Sequence, residues 1–332
     1  MSFSGLSVLF IGIGFYDYEK EIVNRIKEQG GQVTALTERP LPLFTRPWGG
    51  LLAKFSPVVN FLQSLHEKKI LKKVKNKKYD KVLIIKANDC SYSFIKNLRD
   101  YLPDSEFIMY QWDSLKRFPG VIDKFKFFDR ILSFDRKDVE IYPMIKFRPL
   151  FYRAVSGENL ATRRDSDDPY KYDLLFVGLM HSSRLAQVRL LQKQAKEHGL
   201  RMHVFLITNI PTWVKLWFKG QSQGVHLRQL SYKEVILLNN QSKCILDLPH
   251  PDQTGLTMRA IESIGFQKKI ITTGKDITNY DFFDPEMINV IEMDNPVIDF
   301  KFLVGDIKAY SKNVKEIYSM DKWLDDVFFN AN

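Results

Sequence analysis

Leu246-Asp247-Leu248-Pro249-His250-Pro251-Asp252-Gln253-Thr254-Gly255-Leu256-Thr257-Met258-Arg259-Ala260-Ile261-Glu262-Ser263-Ile264-Gly265, followed by Lys268 to Thr273, reads as a strand, a turn holding Pro and Gly, a helix and a second strand. The apolar runs at its two ends have strand length, and apolar residues between them recur at helical spacing. Short strands that are apolar without alternation belong to parallel sheets covered on both faces. The same alternation extends upstream. Asp173 to Val177 reads as a strand, Ser183 to His198 as a helix, Met202 to Ile207 as a strand, Tyr232 to Asn239 as a helix capped by Ser231, and Lys243 to Leu248 as a strand. Downstream, Lys269 to Thr273 is the next strand, and the tail from Phe302 to Phe329 reads as helical.

The first half repeats the pattern. Val8 to Gly12, Gln32 to Leu36, Lys81 to Lys86, Glu106 to Gln111 and Arg130 to Phe134 read as strands, with helices from Tyr18, through the lysine-rich stretch, and from Ser93 to Tyr101. From Ser156 to Tyr170 the chain turns polar without a hydrophobic period, which predicts a linker. The expected class is α/β, with two facing Rossmann-like domains over residues 1–152 and 172–310, a linker at 153–171 and a helical tail at 311–332.

A chain of 332 residues is long enough for two cores. With 45% hydrophobic and 27% charged residues it lies outside the collagen-like, low-complexity and disordered classes. No apolar run approaches the length of a membrane span, and Met1 to Gly14 lacks a signal-peptide pattern, so the protein is expected to stay in the cytoplasm. Cys90 and Cys244 form neither a CxxC pair nor a disulfide framework. The 49 Lys and Arg against 39 Asp and Glu give a net charge of +10, which calls for an anionic partner. The excess concentrates in Lys68, Lys69, Lys72, Lys73, Lys75, Lys77, Lys78 and Lys81, either a solvated face or a surface-binding patch.

The quoted segment carries the most chemistry. The helix is expected to carry Thr254, Gly255, Leu256 and Thr257 in its first turn, where free backbone N–H groups beside small hydroxyls make an anion site suited to a diphosphate. Glu262, deeper in the helix, can accept hydrogen bonds from ribose hydroxyls or be a surface carboxylate paired with Lys268 or Lys269. Arg259 reaches a phosphate or solvent, and His250 caps the site or is simply a loop residue. In Phe176-Val177-Gly178-Leu179-Met180-His181-Ser182-Ser183-Arg184, the strand-end Gly178 admits close approach to the backbone. Arg184 offers a forked donor to phosphate oxygens, or pairs with a nearby acid.

These segments resemble the donor half of nucleotide-sugar glycosyltransferases of the GT-B architecture. Gly255-Leu256, Glu262 and Lys269-Ile270-Ile271 fall where that superfamily has a glycine turn, a helix glutamate and a Pro-Val-Ile-type strand, and Gly178 to Arg184 is similar to its loop at the start of the donor domain. The fuller pattern, Asp-x-x-His-Pro with Gln-Thr-Gly-Leu-Thr-Met-Arg and Glu262, looks like bacterial transferases of capsule, O-antigen or exopolysaccharide assembly, over roughly residues 172–290. The resemblance implies a nucleotide sugar as donor and a glycan or lipid-linked glycan as acceptor. Retaining members often carry a second glutamate eight positions before the helix one. Thr254 stands there in this chain, which speaks against the retaining class and for inversion.

An inverting transfer needs a base for the acceptor proton. Asp113, after the strand ending Tyr110-Gln111-Trp112, is the first candidate, or alternatively a helix cap or a loop-fixing acceptor; Asp17 and Asp89 stand in reserve. Gly12-Ile13-Gly14 lacks the third glycine of a dinucleotide fingerprint, where Asp17 falls, so no nicotinamide or flavin cofactor is expected. The histidines form no HxxxH or HExxH group, and no metal is expected; Arg184 and the helix start near Thr254 to Thr257 are expected to neutralise the leaving diphosphate instead.

Two segments mix aromatic and basic residues as headgroup-binding stretches do. They are Leu41 to Leu65, with Phe44, Trp48, Leu51, Leu52 and Phe55, and Trp213 to Lys219; packing inside a core is the alternative for the second. The expected setting is the inner face of the plasma membrane, on an anionic surface. No nucleic-acid partner is expected, although a non-catalytic basic protein that binds nucleic acid or anionic surfaces is the competing reading. It would explain the lysines but not the segment from Asp247 to Thr273.

Overall fold

The computed structural model describes residues 2–14, 17–40, 56–153, 169–181 and 183–330. The chain divides into two compact units, Met1–Pro149 with Met320–Asn332, and Leu150–Ser319.

In the first unit, β1 (Ser7–Gly12), α1 (Tyr18–Glu28), β2 (Gln32–Thr37), α2 (Ser56–Val74), β3 (Lys81–Ile85), α3 (Tyr92–Tyr101), β4 (Glu106–Gln111), β5 (Arg130–Ser133), α4 (Arg136–Ile141) and β6 (Ile145–Phe147) alternate. The strands form a parallel sheet in the order β2-β1-β3-β4-β5-β6. Leu9, Ile11, Val82, Ile84, Phe107 and Met109 point into one core. Their neighbours Val8, Phe10, Leu83, Ile85, Ile108 and Tyr110 are equally buried on the other face. That two-sided burial is why these strands are apolar at successive positions.

In the second unit, β7 (Tyr172–Leu179), α5 (Arg184–Glu197), β8 (Met202–Ile207), α6 (Ile210–Phe218), β9 (Val225–His226), α7 (Tyr232–Asn240), β10 (Ser242–Asp247), α8 (Met258–Phe266), β11 (Lys269–Thr272), β12 (Ile288–Val290), α9 (Phe300–Val304) and α10 (Lys312–Ile317) build a second parallel sheet. Its order is β12-β11-β10-β7-β8-β9. Leu174, Phe176, Val204, Leu206, Cys244, Leu246 and Ile271 fill its core. Ser231 caps α7 in a reciprocal capping box with Glu234, as its position predicts.

The tail is three short helices, interrupted by non-helical residues 305–311. The last, α11 (Met320–Phe328), belongs to the first unit. Its Trp323 ring meets Tyr110 edge-on with centroids 4.9 Å apart, Phe328 meets Phe3 at 5.0 Å, and Arg25 forks onto Asp321 at 2.6 and 2.7 Å. Of the expected linker, residues 154–168 lie outside the described residues.

Candidate functional site

In an open parallel sheet the crevice for a ligand lies beyond the strand C-termini, where the chain's winding reverses. In the second sheet that point is between β7 and β10, because the chain goes from β7 to β8 and β9 on one side and then crosses to β10 and β11 on the other. The loops leaving these two strands carry Gly178, His181 and Arg184 on one side and His250 to Thr257 on the other. The sequence-predicted donor residues therefore gather at one sheet edge, with Glu262 further along α8.

The floor is built around Asp247, the 2%-exposed last residue of β10. Its carboxylate accepts from Thr257 Oγ1 at 2.8 Å, Thr272 Oγ1 at 3.0 Å and Arg259 Nε at 3.0 Å. Arg259 also donates to the Val177 carbonyl at 3.0 Å and lies 5.4 Å from the centre of the Phe176 ring. Gly178 suits this packing: a Cβ there would stand 3.0 Å from Arg259 Nη1 and 3.1 Å from Phe176 Cζ, close enough that these side chains would have to shift. Through these atoms Arg259 ties β7 to β10. Thr257 caps α8 by accepting from Ala260 N at 3.2 Å, so the helix begins at Met258 and Thr254 and Gly255 lie in the loop ahead of it.

Arg184 is 5% exposed and donates to the Leu179 carbonyl at 2.6 Å and to the Leu248 carbonyl. It pins the two loops together and brings a guanidinium beneath the crevice. Across the same gap His181 and His250 bring their rings within 4.8 Å, and His250 Nδ1 accepts from Asp252 N at 3.1 Å. Leu256 is buried and Gly255 O accepts from Gln253 Nε2 at 3.1 Å, so the turn is held from within.

Glu262 is buried in the second unit rather than on its surface. Lys268 lies over the Tyr170 ring and Lys269 donates to the Phe302 carbonyl at 2.7 Å. Glu262 Oε1 accepts from Arg153 Nη2 at 3.0 Å and Nε at 3.3 Å, with both side chains nearly fully buried. The Arg153 guanidinium stacks 3.3 Å from the Tyr232 ring centre. Sequence reading missed Arg153, because its partner lies 109 residues away. Asp247, which the quoted motif contains, gave a signal as a carboxylate ending an apolar strand.

In the first unit the candidate bases are all ion-paired. Asp17 holds Lys20 at 2.7 Å in an exposed pair. Asp113 is engaged at one oxygen by Lys86 and at the other by Arg117 at 3.1 Å. Lys86 and Ala87, which follow β3, both have positive φ, an uncommon backbone for residues with side chains. Asp89 takes the Arg39 fork at 2.7 and 2.5 Å. Burial works to raise the Asp89 carboxyl, but hydrogen bonds from Arg39 and Glu38 outweigh it and hold the group below its ordinary range. Glu38, only 1% exposed, is pushed well up by burial and by the Asp89 charge beside it.

The Gly12-Ile13-Gly14 turn is filled by its own chain. Glu19, in the first turn of α1, accepts from Ile13 N at 2.5 Å and Gly14 N at 2.9 Å, and a Cβ on Gly12 would fall 2.3 Å from Glu19 Oε2. The amides that would receive a cofactor phosphate in a dinucleotide fold are already taken by a carboxylate.

Among the described residues no group of three or more His, Cys, Asp or Glu side chains is placed to hold a metal, both cysteines are free and buried, and no helix is long and apolar enough to cross a membrane. Of the two aromatic–basic segments, residues 41–55 lie outside the described residues. In the other, Leu216 is buried and Trp213 Nε1 donates to the Val225 carbonyl at 3.1 Å, whereas Val214, Trp217 and Phe218 are 38%, 56% and 77% exposed.

No family model matches the chain, and no curated protein matches its sequence. Solved structures do match its fold. The catalytic domain of starch synthase IV from Arabidopsis thaliana, bound to ADP and acarbose, is similar over 98% of this chain and 94% of its own, at 9% identity and a TM-score of 0.56. AviGT4, a glycosyltransferase involved in avilamycin A biosynthesis, is similar over 97% of both chains at 13% identity and 0.53. A UDP-N-acetylglucosamine 2-epimerase is similar over 100% of this chain and 98% of its own at 11% identity and 0.51. What the chain shares with all three is the two-domain, Rossmann-like fold of the GT-B type.

Proposed function

We propose that the protein is a nucleotide-sugar-dependent glycosyltransferase. It moves a sugar onto a hydroxyl of a bacterial surface glycan carried on lipid at the inner face of the plasma membrane, with inversion and without a metal. The observation that carries the reading is the convergence of the β7 and β10 loops with the α8 start at the switch point of the second sheet. A nucleoside diphosphate sits there with its phosphates toward the Met258 end of the helix and toward His181 and His250. Arg184 and Arg259 keep the two loops in register and supply positive charge from below. The acceptor oxygen attacks the anomeric carbon as the bond from that carbon to the diphosphate oxygen breaks. The acceptor proton passes to a carboxylate of the first domain, and the nucleoside diphosphate leaves with the bonding pair. Asp113 is the proposed carboxylate; to act, it exchanges its contact with Lys86 or Arg117 for the acceptor hydroxyl. The burial of Glu262 against Arg153 argues for a supporting role rather than a direct contact with ribose.

The test is a panel of nucleotide sugars, each incubated with and without membrane-extracted lipid-linked glycan, with released nucleoside diphosphate and glycan mass both measured. The reading expects one donor to be consumed only when acceptor is present, with a matching mass gain on the glycan. Donor isomerised without any acceptor would replace transfer by epimerisation, and no turnover together with no nucleotide binding would overturn the reading.

A further inference from the structure

We propose that the outward face of α2 docks the first domain on an anionic lipid bilayer, its N-terminal half entering the acyl boundary and its C-terminal half lying on the lipid phosphates. This extends the membrane setting proposed above, but its test needs neither donor nor acceptor, so either idea can fail alone.

The helix runs from Ser56 to Val74, about 28 Å at 1.5 Å per residue. Its inner side is anchored: Ile70 and Val74 are buried in the first core, and Glu67 accepts from Ser91 N and Ser91 Oγ, both at 2.7 Å. On the other side Val58, Phe61 and Leu65 are 51%, 63% and 46% exposed. One turn on, the same face continues as Lys68, Lys69, Lys72 and Lys73, all exposed. At 3.6 residues per turn these seven positions fall within about 140° of arc, so they form one stripe, apolar in its first half and basic in its second. None of the four lysines has a carboxylate within ion-pairing distance among the described residues, although exposed pairs are common elsewhere on the chain.

A bilayer of anionic lipid matches both halves. Apolar side chains enter the boundary region, lysines meet phosphates, and the two signals together hold a protein that neither would hold alone. Nucleic acid would satisfy the lysines but leave Val58 and Leu65 in water. A second copy of this chain, carrying the same unpaired lysines, would bring like charges together.

The experiment is co-sedimentation of the full chain with vesicles of phosphatidylcholine alone and of phosphatidylcholine mixed with phosphatidylglycerol, at low and high salt. Binding is expected only with the mixed vesicles and falls as salt rises. Lys68→Gln, Lys69→Gln and Lys72→Gln together reduce it roughly hundredfold. Phe61→Ser with Leu65→Ser abolishes what remains at high salt. All these residues are exposed, so the melting temperature of each variant should equal that of the parent, which separates lost docking from lost folding. Depth is read separately with a polarity-sensitive dye on Phe61→Cys, Leu65→Cys or Lys72→Cys, because Cys90 and Cys244 are buried. A blue shift is expected at the first two sites and not at the third. Equal binding to neutral and anionic vesicles, indifference to the lysine substitutions, oligonucleotide binding without vesicle binding, or concentration-dependent dimers blocked by Phe61→Ser would each overturn the assignment.

Discussion

Glu262→Ala takes from the buried Arg153 guanidinium, 5% exposed and stacked on the Tyr232 ring, the carboxylate with which it is paired. Breaking a buried pair by deleting one partner costs about 3–5 kcal/mol, because the remaining charge keeps its desolvation penalty and loses its compensation. For a domain the size of the second unit, each kcal/mol moves the melting temperature by about 2–4 °C, so the variant should melt about 6–20 °C below the parent. The double variant Arg153→Met with Glu262→Leu removes both charges and keeps the volume, and should recover most of that loss. The assay is thermal unfolding of all four members of the cycle, with nucleoside diphosphate titration of each below its transition. The reasoning expects large single losses, strong coupling between them, and a nucleotide affinity that follows the fraction folded. A Glu262→Ala protein that melts with the parent yet binds nucleotide tenfold more weakly would refute it, and would put the carboxylate on the ribose.

Gly178→Ala places a methyl group 3.0 Å from Arg259 Nη1 and 3.1 Å from Phe176 Cζ. The crowding should cost about 1–3 kcal/mol in chemical denaturation and weaken nucleotide binding through the displaced loop; an unchanged midpoint and affinity would contradict the packing described. Asp113→Asn should abolish transfer while leaving the donor dissociation constant within about twofold, and near-normal turnover would remove Asp113 from the base role. Burial raises the Asp138 carboxyl to about 6, against the hydrogen bonds it accepts from Ser133 Oγ and Leu115 N. A folded-state value above the unfolded one means the native protein binds the proton more tightly, so stability should fall as pH rises from about 4 to about 6. Asp138→Asn should flatten that slope in denaturant titrations across this range, and an unaltered slope would assign the effect to other groups.

Much of the fold was legible because its strands are buried on both faces. Val82 to Ile85 and Phe107 to Tyr110 are apolar without interruption, and such runs between helical patterns leave few alternatives to a parallel sheet. β6, β9 and β12 are edge strands of two or three residues, too short to carry a period. The return of α11 to the first sheet depends on Trp323 and Phe328 meeting Tyr110 and Phe3, contacts between opposite ends of the chain that no local pattern announces. At the candidate site, the guanidinium forks of Arg184 and Arg259, which suit phosphate, also hold strand-end carbonyls and the Asp247 carboxylate, contacts that no local sequence pattern announces. Glu19 looked like an ordinary first-turn acid of a helix, and only the folded loop shows it capping the Ile13 and Gly14 amides.

Isothermal titration of the full chain with uridine, guanosine, cytidine and adenosine diphosphates, repeated on Thr257→Val and on His181→Ala with His250→Ala, tests the donor crevice most directly. Thr257→Val removes the α8 cap and the hydrogen bond to Asp247. The account predicts one nucleotide bound at a single site, weakened about tenfold or more by the double histidine change, as loss of one or two hydrogen bonds to a charged ligand implies, and weakened by Thr257→Val through the helix start that its cap holds in place. No heat with any nucleoside diphosphate, or an affinity indifferent to both changes, would contradict it.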